Sequence, residues 1–456
     1  MTNIFWFRRD RRMGDNLALN EAVAASVDGL GLLYAIDATE FERLLPVRQH
    51  SLLESLRALN EDASGALAVR KGSVAETVVA AARELAAAAV YATRAHDTRG
   101  VLEQNAVGAA LRDAGVELRL IDSNYAVAPG SVVKPDGTAY RVYTPFYKAW
   151  LERGWRRPVE RTEPVGGWAP LTGEPLPEAS GPAPFKIRAG EAFALRTLER
   201  FIERALDEYD EQRNRADLSG TSHLSHALAH GEIHPRTILA RLGDSPAHTV
   251  FRKEIAWREF YGDVLFRNQH TLTDYYTPRF AEMRYDTGAI AEERLAAWQQ
   301  GKTGYPMVDA AMRQLLATGW MHNRSRMIVA SFLVKDLHLE WQQGADWFER
   351  HLTDFDPASN AHGWQWTAGC GTDASPYYRV FNPILQGLKF DPDGNYVRKY
   401  VPELRHIGGA AVHEPWLLLD GLANGYPDPI VDHAKERDES LARLEEIKVP
   451  SEFREG

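Results

Sequence analysis

Short apolar runs alternate with helix-like stretches over the first 130 residues, and few folds accept that pattern. The runs fall at 4–7, 30–36, 67–69, 89–92 and 117–121, and the stretches between them include 49–60, 74–89 and 100–114. Strands that are apolar throughout are buried on both faces, and strands separated by helices are joined by crossovers, so the expected sheet is parallel. The reading is an α/β N-terminal domain over 1–130 with a Rossmann-like sheet. No G-x-G-x-x-G follows the first run, so a nicotinamide site of the usual Rossmann kind is not supported.

The pattern changes twice further on. Seven prolines lie between Pro158 and Pro184, and 131–190 reads as an extended interdomain linker. Beyond Gly190 the apolar period is helical, with stretches at 191–210, 235–242, 249–268, 305–318, 322–339 and 345–351. A larger all-α domain over 191–456 is expected, in keeping with two or three domains for 456 residues. The apolar opening at 4–7 precedes its arginines instead of following them, which is not the order of an export signal. With Cys370 as its one cysteine the chain can form neither an internal disulfide nor a thiolate metal cluster. A cytoplasmic, monomeric protein away from membranes is expected. The net charge of −10 argues mildly against nucleic acid, but binding depends on local clusters such as Arg324-Ser-Arg326, each of which alone reads as a solvated face.

Four segments carry chemistry. Ser219-Gly-Thr-Ser-His-Leu-Ser225 sets hydroxyls and a glycine ahead of a helical stretch, which suits a phosphate or simply caps the helix. In Glu254-Ile-Ala-Trp-Arg-Glu-Phe-Tyr261 the residues Glu254, Trp257, Arg258 and Tyr261 share one helical face, fit for a planar polar ligand or for packing. Gly319-Trp-Met-His-Asn-Arg-Ser-Arg-Met327 places Asn323, Arg326 and Met327 together, and its half-buried arginine needs a carboxylate. Asp354-Phe-Asp-Pro-Ala-Ser-Asn-Ala-His-Gly-Trp-Gln-Trp366 offers two, with no nucleophile or metal cluster beside them to suggest a hydrolase.

These segments, in this order, resemble the DNA photolyase/cryptochrome family, and in particular bacterial class I cyclobutane pyrimidine dimer photolyases. The opening Trp6-Phe-Arg-Arg-Asp-Arg-Arg-Met-Gly-Asp-Asn16 is similar to the family's W-F-R-x-D-L-R-x-x-D-N, with Arg11 in place of leucine, and Tyr377-Tyr-Arg-Val-Phe-Asn-Pro383 and Pro402-Glu-Leu404 also fit. The resemblance implies a deoxyribodipyrimidine photo-lyase, in which excited reduced FAD passes an electron to a dimer flipped out of ultraviolet-damaged DNA. A damaged pair stacks poorly and is cheaper to extrude.

Carried over onto this sequence, the resemblance assigns Tyr209, Thr221, Ser222, His223, Leu224 and Ser225 to the FAD phosphates and ribose. Arg326, Asp354, Phe355, Asp356 and Asn360 fall beside the flavin ring, with Asn360 facing its reactive nitrogen. Glu254, Trp257, Arg258, Tyr261, Asn323, Met327 and Trp366 are implied for the dimer, with Glu254 and Asn360 catalytic, and Arg213 and Arg324 for DNA phosphates. Trp364 and Trp341 match the first members of an electron relay. Its usual third tryptophan would fall at Gly288, so Tyr285 is the nearest candidate terminus, losing its phenolic proton to solvent. A cryptochrome-type photoreceptor is the alternative. Repair of the (6-4) photoproduct lacks its histidine pair, since the chain reads His322-Asn323-Arg324. Two departures stand out. The FAD loop continues Leu224-Ser-His-Ala-Leu228 instead of L-S-P-Y-L, and Tyr91-Ala-Thr-Arg-Ala-His-Asp97 lacks the folate-contacting Asn-Glu pair, so for a second, antenna chromophore the sequence leaves folate, a deazaflavin, another flavin or none open.

Overall fold

The computed structural model describes residues 1–373 and 378–448. Tyr377, which opens one of the family-like motifs, lies outside the described residues. The chain divides into two compact units, one of Met1–Asp207 with Ser222–Gln269 and one of Glu208–Thr221 with His270–Gly456. These units do not follow the divisions drawn from composition at 130 and 190.

In the first unit all five apolar runs are strands: β1 (Asn3–Phe7), β2 (Leu30–Asp37), β3 (Leu67–Gly72), β4 (Ala89–Thr93) and β5 (Glu117–Ile121). They form one parallel sheet in the order β3-β2-β1-β4-β5. Side chains alternate across β1, so Phe5 and Phe7 join Leu19, Leu53 and Leu56 on one face while Ile4 and Trp6 join Val78 and Leu111 on the other. Helices cover both faces, as a parallel sheet requires. The motif after β1 is structural. Asp10 accepts from the Arg8 amide (2.8 Å) and from Thr93 Oγ1 (2.6 Å) at the end of β4, and Asn16 caps the helix Leu17–Ala24.

The segment read as a linker is bound into this unit. It contains the helix Tyr143–Arg153, and its proline-rich part runs along the sheet, where Ala169 N–H donates to Leu30 O (3.0 Å) and Glu174 N–H to Val69 O (2.7 Å). Gly166 is required there, because a Cβ would collide with the backbone of Asp28 and Gly29.

The second unit is built on helices, among them Ala289–Gln300, Pro306–Thr318, Asn323–Lys335, Trp341–His351 and Pro357–Ala368. Its core holds Trp298, Phe332, Trp341, Phe348 and Trp364. No helix among the described residues is long and apolar enough to cross a membrane.

Candidate functional site

In the first unit the helix Pro246–Arg267 carries the Glu254 face. Ser245 caps it and Pro246 opens it, two devices that favour a helix start. Its inner side buries Phe251, Ile255, Ala256 and Phe260. Glu259, buried with them, accepts the amides of Ala126 and Val127 at 3.0 Å each, which fixes the helix against the chain after β5. Glu254, Trp257, Arg258 and Tyr261 are all half-buried, as their shared face predicts. Trp257 stacks on Tyr143 with ring centroids 3.8 Å apart and planes 6° from parallel, and Tyr261 lies 5.4 Å away, so the indole is held in one plane. Arg258 is directed elsewhere. Its guanidinium donates to Asn124 O (3.1 Å) and Leu228 O (3.4 Å) and lies 4.6 Å over the Tyr125 ring, so it braces the helix instead of presenting a charge to a ligand.

The hydroxyl segment makes a tight turn. Ser222 Oγ accepts the Leu224 amide at 3.3 Å, His223 takes φ +53°, and Leu224 is buried just before the helix Ser225–His230. A non-glycine residue in the left-handed region is uncommon and marks a constrained turn. Thr221 and Ser222 are half-buried, and His223 and Ser225 are exposed.

In the second unit three segments converge. Arg326 lies on the first turn of Asn323–Lys335, and its Nη2 meets Asp354 at 2.6 Å while Nε donates to Met321 O at 2.9 Å. The Asp354 side chain is 0% exposed, and its second oxygen, Oδ1, is buried with no hydrogen-bond donor among the described residues. Backbone pairing of Thr353 N–H with Gly319 O (2.8 Å) holds these two loops together. Two residues on, Asp356 caps the helix Pro357–Ala368 by accepting the Ser359 amide at 2.9 Å, with Phe355 half-buried between the acids. Asn360 donates from Nδ2 to Ala345 O at 3.0 Å, which leaves its Oδ1 as an acceptor. An isoalloxazine ring presents a pyrimidine N–H that a lone buried carboxylate oxygen can accept, so the arrangement fits a flavin.

Asn323 is exposed, and its Nδ2 lies 4.0 Å from the Met327 sulfur. Arg324 donates to Asn214 Oδ1 at 2.7 Å and covers the Phe390 ring at 4.6 Å, while the Arg213 guanidinium lies 5.7 Å over Tyr209. Trp366 is half-buried, with its indole N–H fixed to Asp373 O at 3.1 Å. Between the two tryptophans of Trp-Gln-Trp, Gln365 is buried, accepting the Tyr276 amide (2.7 Å) and donating to Thr271 O (2.8 Å). Burial pushes the neighbouring His362 down to about 4, so this part of the helix is uncharged at neutral pH. Trp364 approaches Gly344, one turn on from Trp341, so closely that a Cβ there would overlap the indole. Trp298 also touches Trp364, with centroids 6.1 Å apart. Composition did not single out Tyr275 or Glu340, yet Tyr275 is the ring that meets Trp341, at 6.2 Å.

The chain matches two family models, "DNA photolyase" over residues 3–165 and "FAD binding domain of DNA photolyase" over 251–446. It is 36% identical to the deoxyribodipyrimidine photo-lyase of Escherichia coli (strain K12), over 97% of this chain and 98% of the relative. Among solved structures it is similar to a bacterial class III photolyase from Agrobacterium tumefaciens (37% identity, TM-score 0.86, 98% of both chains). It is also similar to a cryptochrome from Synechocystis sp. PCC6803 (26% identity, TM-score 0.85, 97% of this chain and 98% of that one). The chain therefore belongs to the DNA photolyase family. Its activity is the light-driven repair of pyrimidine dimers in ultraviolet-damaged DNA, with FAD as cofactor, and the photoreceptor alternative is less favoured.

Proposed function

We propose that the residues described above divide the work of cyclobutane dimer repair by side chain. Tyr209, Thr221, Ser222, His223, Leu224 and Ser225 hold the phosphates and ribose of FAD through hydroxyls and turn amides. Arg326, Asp354, Phe355, Asp356 and Asn360 hold the ring, with Asp354 Oδ1 accepting from its pyrimidine edge and Asn360 Oδ1 facing its reactive nitrogen. Bound and reduced, FAD supplies the electron that splits the dimer. Glu254 hydrogen-bonds the dimer, and Trp257, held flat by Tyr143, and Trp366 each offer it an aromatic face. Tyr261, Asn323 and Met327 complete the substrate residues, and Arg258 braces the helix that carries Glu254, Trp257 and Tyr261. Arg213 and Arg324 bind DNA phosphates, which adds affinity without sequence information. Trp364 and Trp341 conduct electrons to oxidised flavin from a donor further along. The protein works as a monomer in the cytoplasm.

The observation that carries the flavin assignment is Asp354, a fully buried carboxylate with one oxygen on Arg326 and the other without a donor among the described residues. The test is the absorption spectrum of the purified protein, followed by blue-light repair of an oligonucleotide holding one thymine dimer. Flavin bands and light-dependent loss of the dimer are expected. A colourless protein that cannot be reconstituted with FAD would overturn the site.

A further inference from the structure

Along the aromatic series of the second unit, proton acceptors are unevenly placed. The indole N–H groups of Trp364 and Trp341 are buried and meet no acceptor among the described residues. A hole on either ring therefore has no group to take its proton and stays mobile. Tyr275 differs. It meets Trp341 edge-on (6.2 Å, 85°), is 4% exposed, and donates its hydroxyl to Glu340 Oε1 at 3.1 Å. Glu340 is also the residue before Trp341, at the N-cap of the helix Trp341–His351, where the free amides and the helix dipole suit an anion. Burial and the Glu340 charge push the Tyr275 phenol above its ordinary range, so it holds its proton until it is oxidised.

Tyr285, the terminus expected from register, is differently placed. It stacks on Tyr275 (6.5 Å, 19°) and not on Trp341; its hydroxyl donates to the Phe280 carbonyl at 3.3 Å and meets the Tyr275 hydroxyl, so its nearest carboxylate is reached only through Tyr275. Burial pushes its phenol above the ordinary range, as it does that of Tyr275, so it too holds its proton until it is oxidised.

We propose that Tyr275 is the terminal electron donor of this chain and Glu340 its proton acceptor. The proposal rests on the reading of Trp364 and Trp341 as a relay. With oxidised flavin bound as the photo-oxidant, Trp364 would give up one electron and be refilled from Trp341. One electron then passes from Tyr275 to the Trp341 radical cation while the Tyr275 hydroxyl proton moves along its hydrogen bond to the Glu340 carboxylate. The products are neutral Trp341, a neutral tyrosyl radical and protonated Glu340, and the hole is trapped because its return would need the proton back.

Flash absorption and electron paramagnetic resonance of the FAD-loaded protein test this. A tyrosyl radical is expected in the unaltered protein and in Tyr285→Phe, and none in Tyr275→Phe, where the tryptophan radical should instead recombine. Glu340→Gln keeps a hydrogen-bond acceptor but cannot take the proton. It should slow tyrosyl formation about tenfold or more, equivalent to a barrier higher by about 1.4 kcal/mol, and the step should be slower in deuterated water in the unaltered protein. Loss of the radical in Tyr285→Phe with retention in Tyr275→Phe would overturn the proposal, as would an unchanged rate in Glu340→Gln. Trp341→Phe separates the layers: lost photoreduction supports the relay, while normal photoreduction would refute the relay reading itself and the proposal with it.

Discussion

Arg326→Ala tests the flavin half-site through its own stability. In the folded protein Asp354 is wholly buried, and among the described residues its Oδ2 is satisfied only by the guanidinium at 2.6 Å. Removing the partner of a buried carboxylate leaves an uncompensated charge, at a cost of about 3–5 kcal/mol. The Arg326 side chain is 25% exposed, so water can approach from that side and the lower end of the range applies. A loss of about 3 kcal/mol lowers the Tm by roughly 6–12 °C, at about 2–4 °C per kcal/mol for a cooperative unit of a couple of hundred residues. Melting the apoprotein, with flavin removed, isolates this effect from ligand stabilisation.

The double variant Arg326→Ala with Asp354→Asn removes both charges. Because the two side chains share one bond, their effects should not add, and the cycle should return a coupling of about 1–3 kcal/mol. FAD affinity should fall in both single variants. An Arg326→Ala apoprotein that melts within about 2 °C of the parent, with no coupling in the cycle, would refute the reasoning.

Glu254→Ala should retain flavin and most affinity for dimer-containing DNA while lowering the repair yield per absorbed photon, measured on a single-dimer oligonucleotide; an unchanged yield removes Glu254 from the mechanism. Lys335 is 2% exposed, donates to Arg379 O at 2.6 Å and lies 4.2 Å over the Tyr378 ring, and burial pushes its amine down to about 7. Since a lysine in the unfolded chain titrates near 10.4, the unfolded state binds more protons between those values, so stability should rise from about pH 7 to 10. Lys335→Met should flatten that rise in urea unfolding curves, and parallel slopes in the two proteins would show that Lys335 is not its source.

The α/β half was legible because central parallel strands such as β1 and β4 are apolar on both faces and mark themselves whatever surrounds them, while the half-exposed edge strand β5 shows itself by its alternation. All five strands fall within three residues of the apolar runs. Elements whose signals are local but polar were harder to see. The helix Pro357–Ala368 begins Asp-Pro-Ala-Ser-Asn, which reads as a turn until Asp356 is recognised as its cap and Pro357 as its first residue. The helix Tyr143–Arg153 was absorbed into a proline-rich stretch, and the extended chain after it belongs to the first unit through backbone pairing with Leu30 and Val69, partners more than a hundred residues away. Helical spacing correctly placed Glu254, Trp257, Arg258 and Tyr261 on one face. It could not say that Arg258 turns to the carbonyls of Asn124 and Leu228, because a long side chain on a face is free to bend toward whatever tertiary acceptor is near.

The end of the aromatic series shows why register alone misleads at a site of electron transfer. Counting back from Trp298 reaches Gly288, which is the N-cap of the helix Ala289–Gln300 with φ +82°, so that position starts a helix and carries no side chain. Tyr285 then looks like the displaced terminus, and it does lie in the aromatic series, but behind Tyr275. What distinguishes two stacked tyrosines as donors is the fate of the phenolic proton, since an oxidised phenol that keeps its proton is quickly reduced again. That property belongs to the acceptor and not to the ring. Glu340 lies 65 residues from Tyr275 along the chain. Tyr275-Tyr276 thus carries no mark in the sequence, and the fold creates the pair by starting the Trp341 helix beside it.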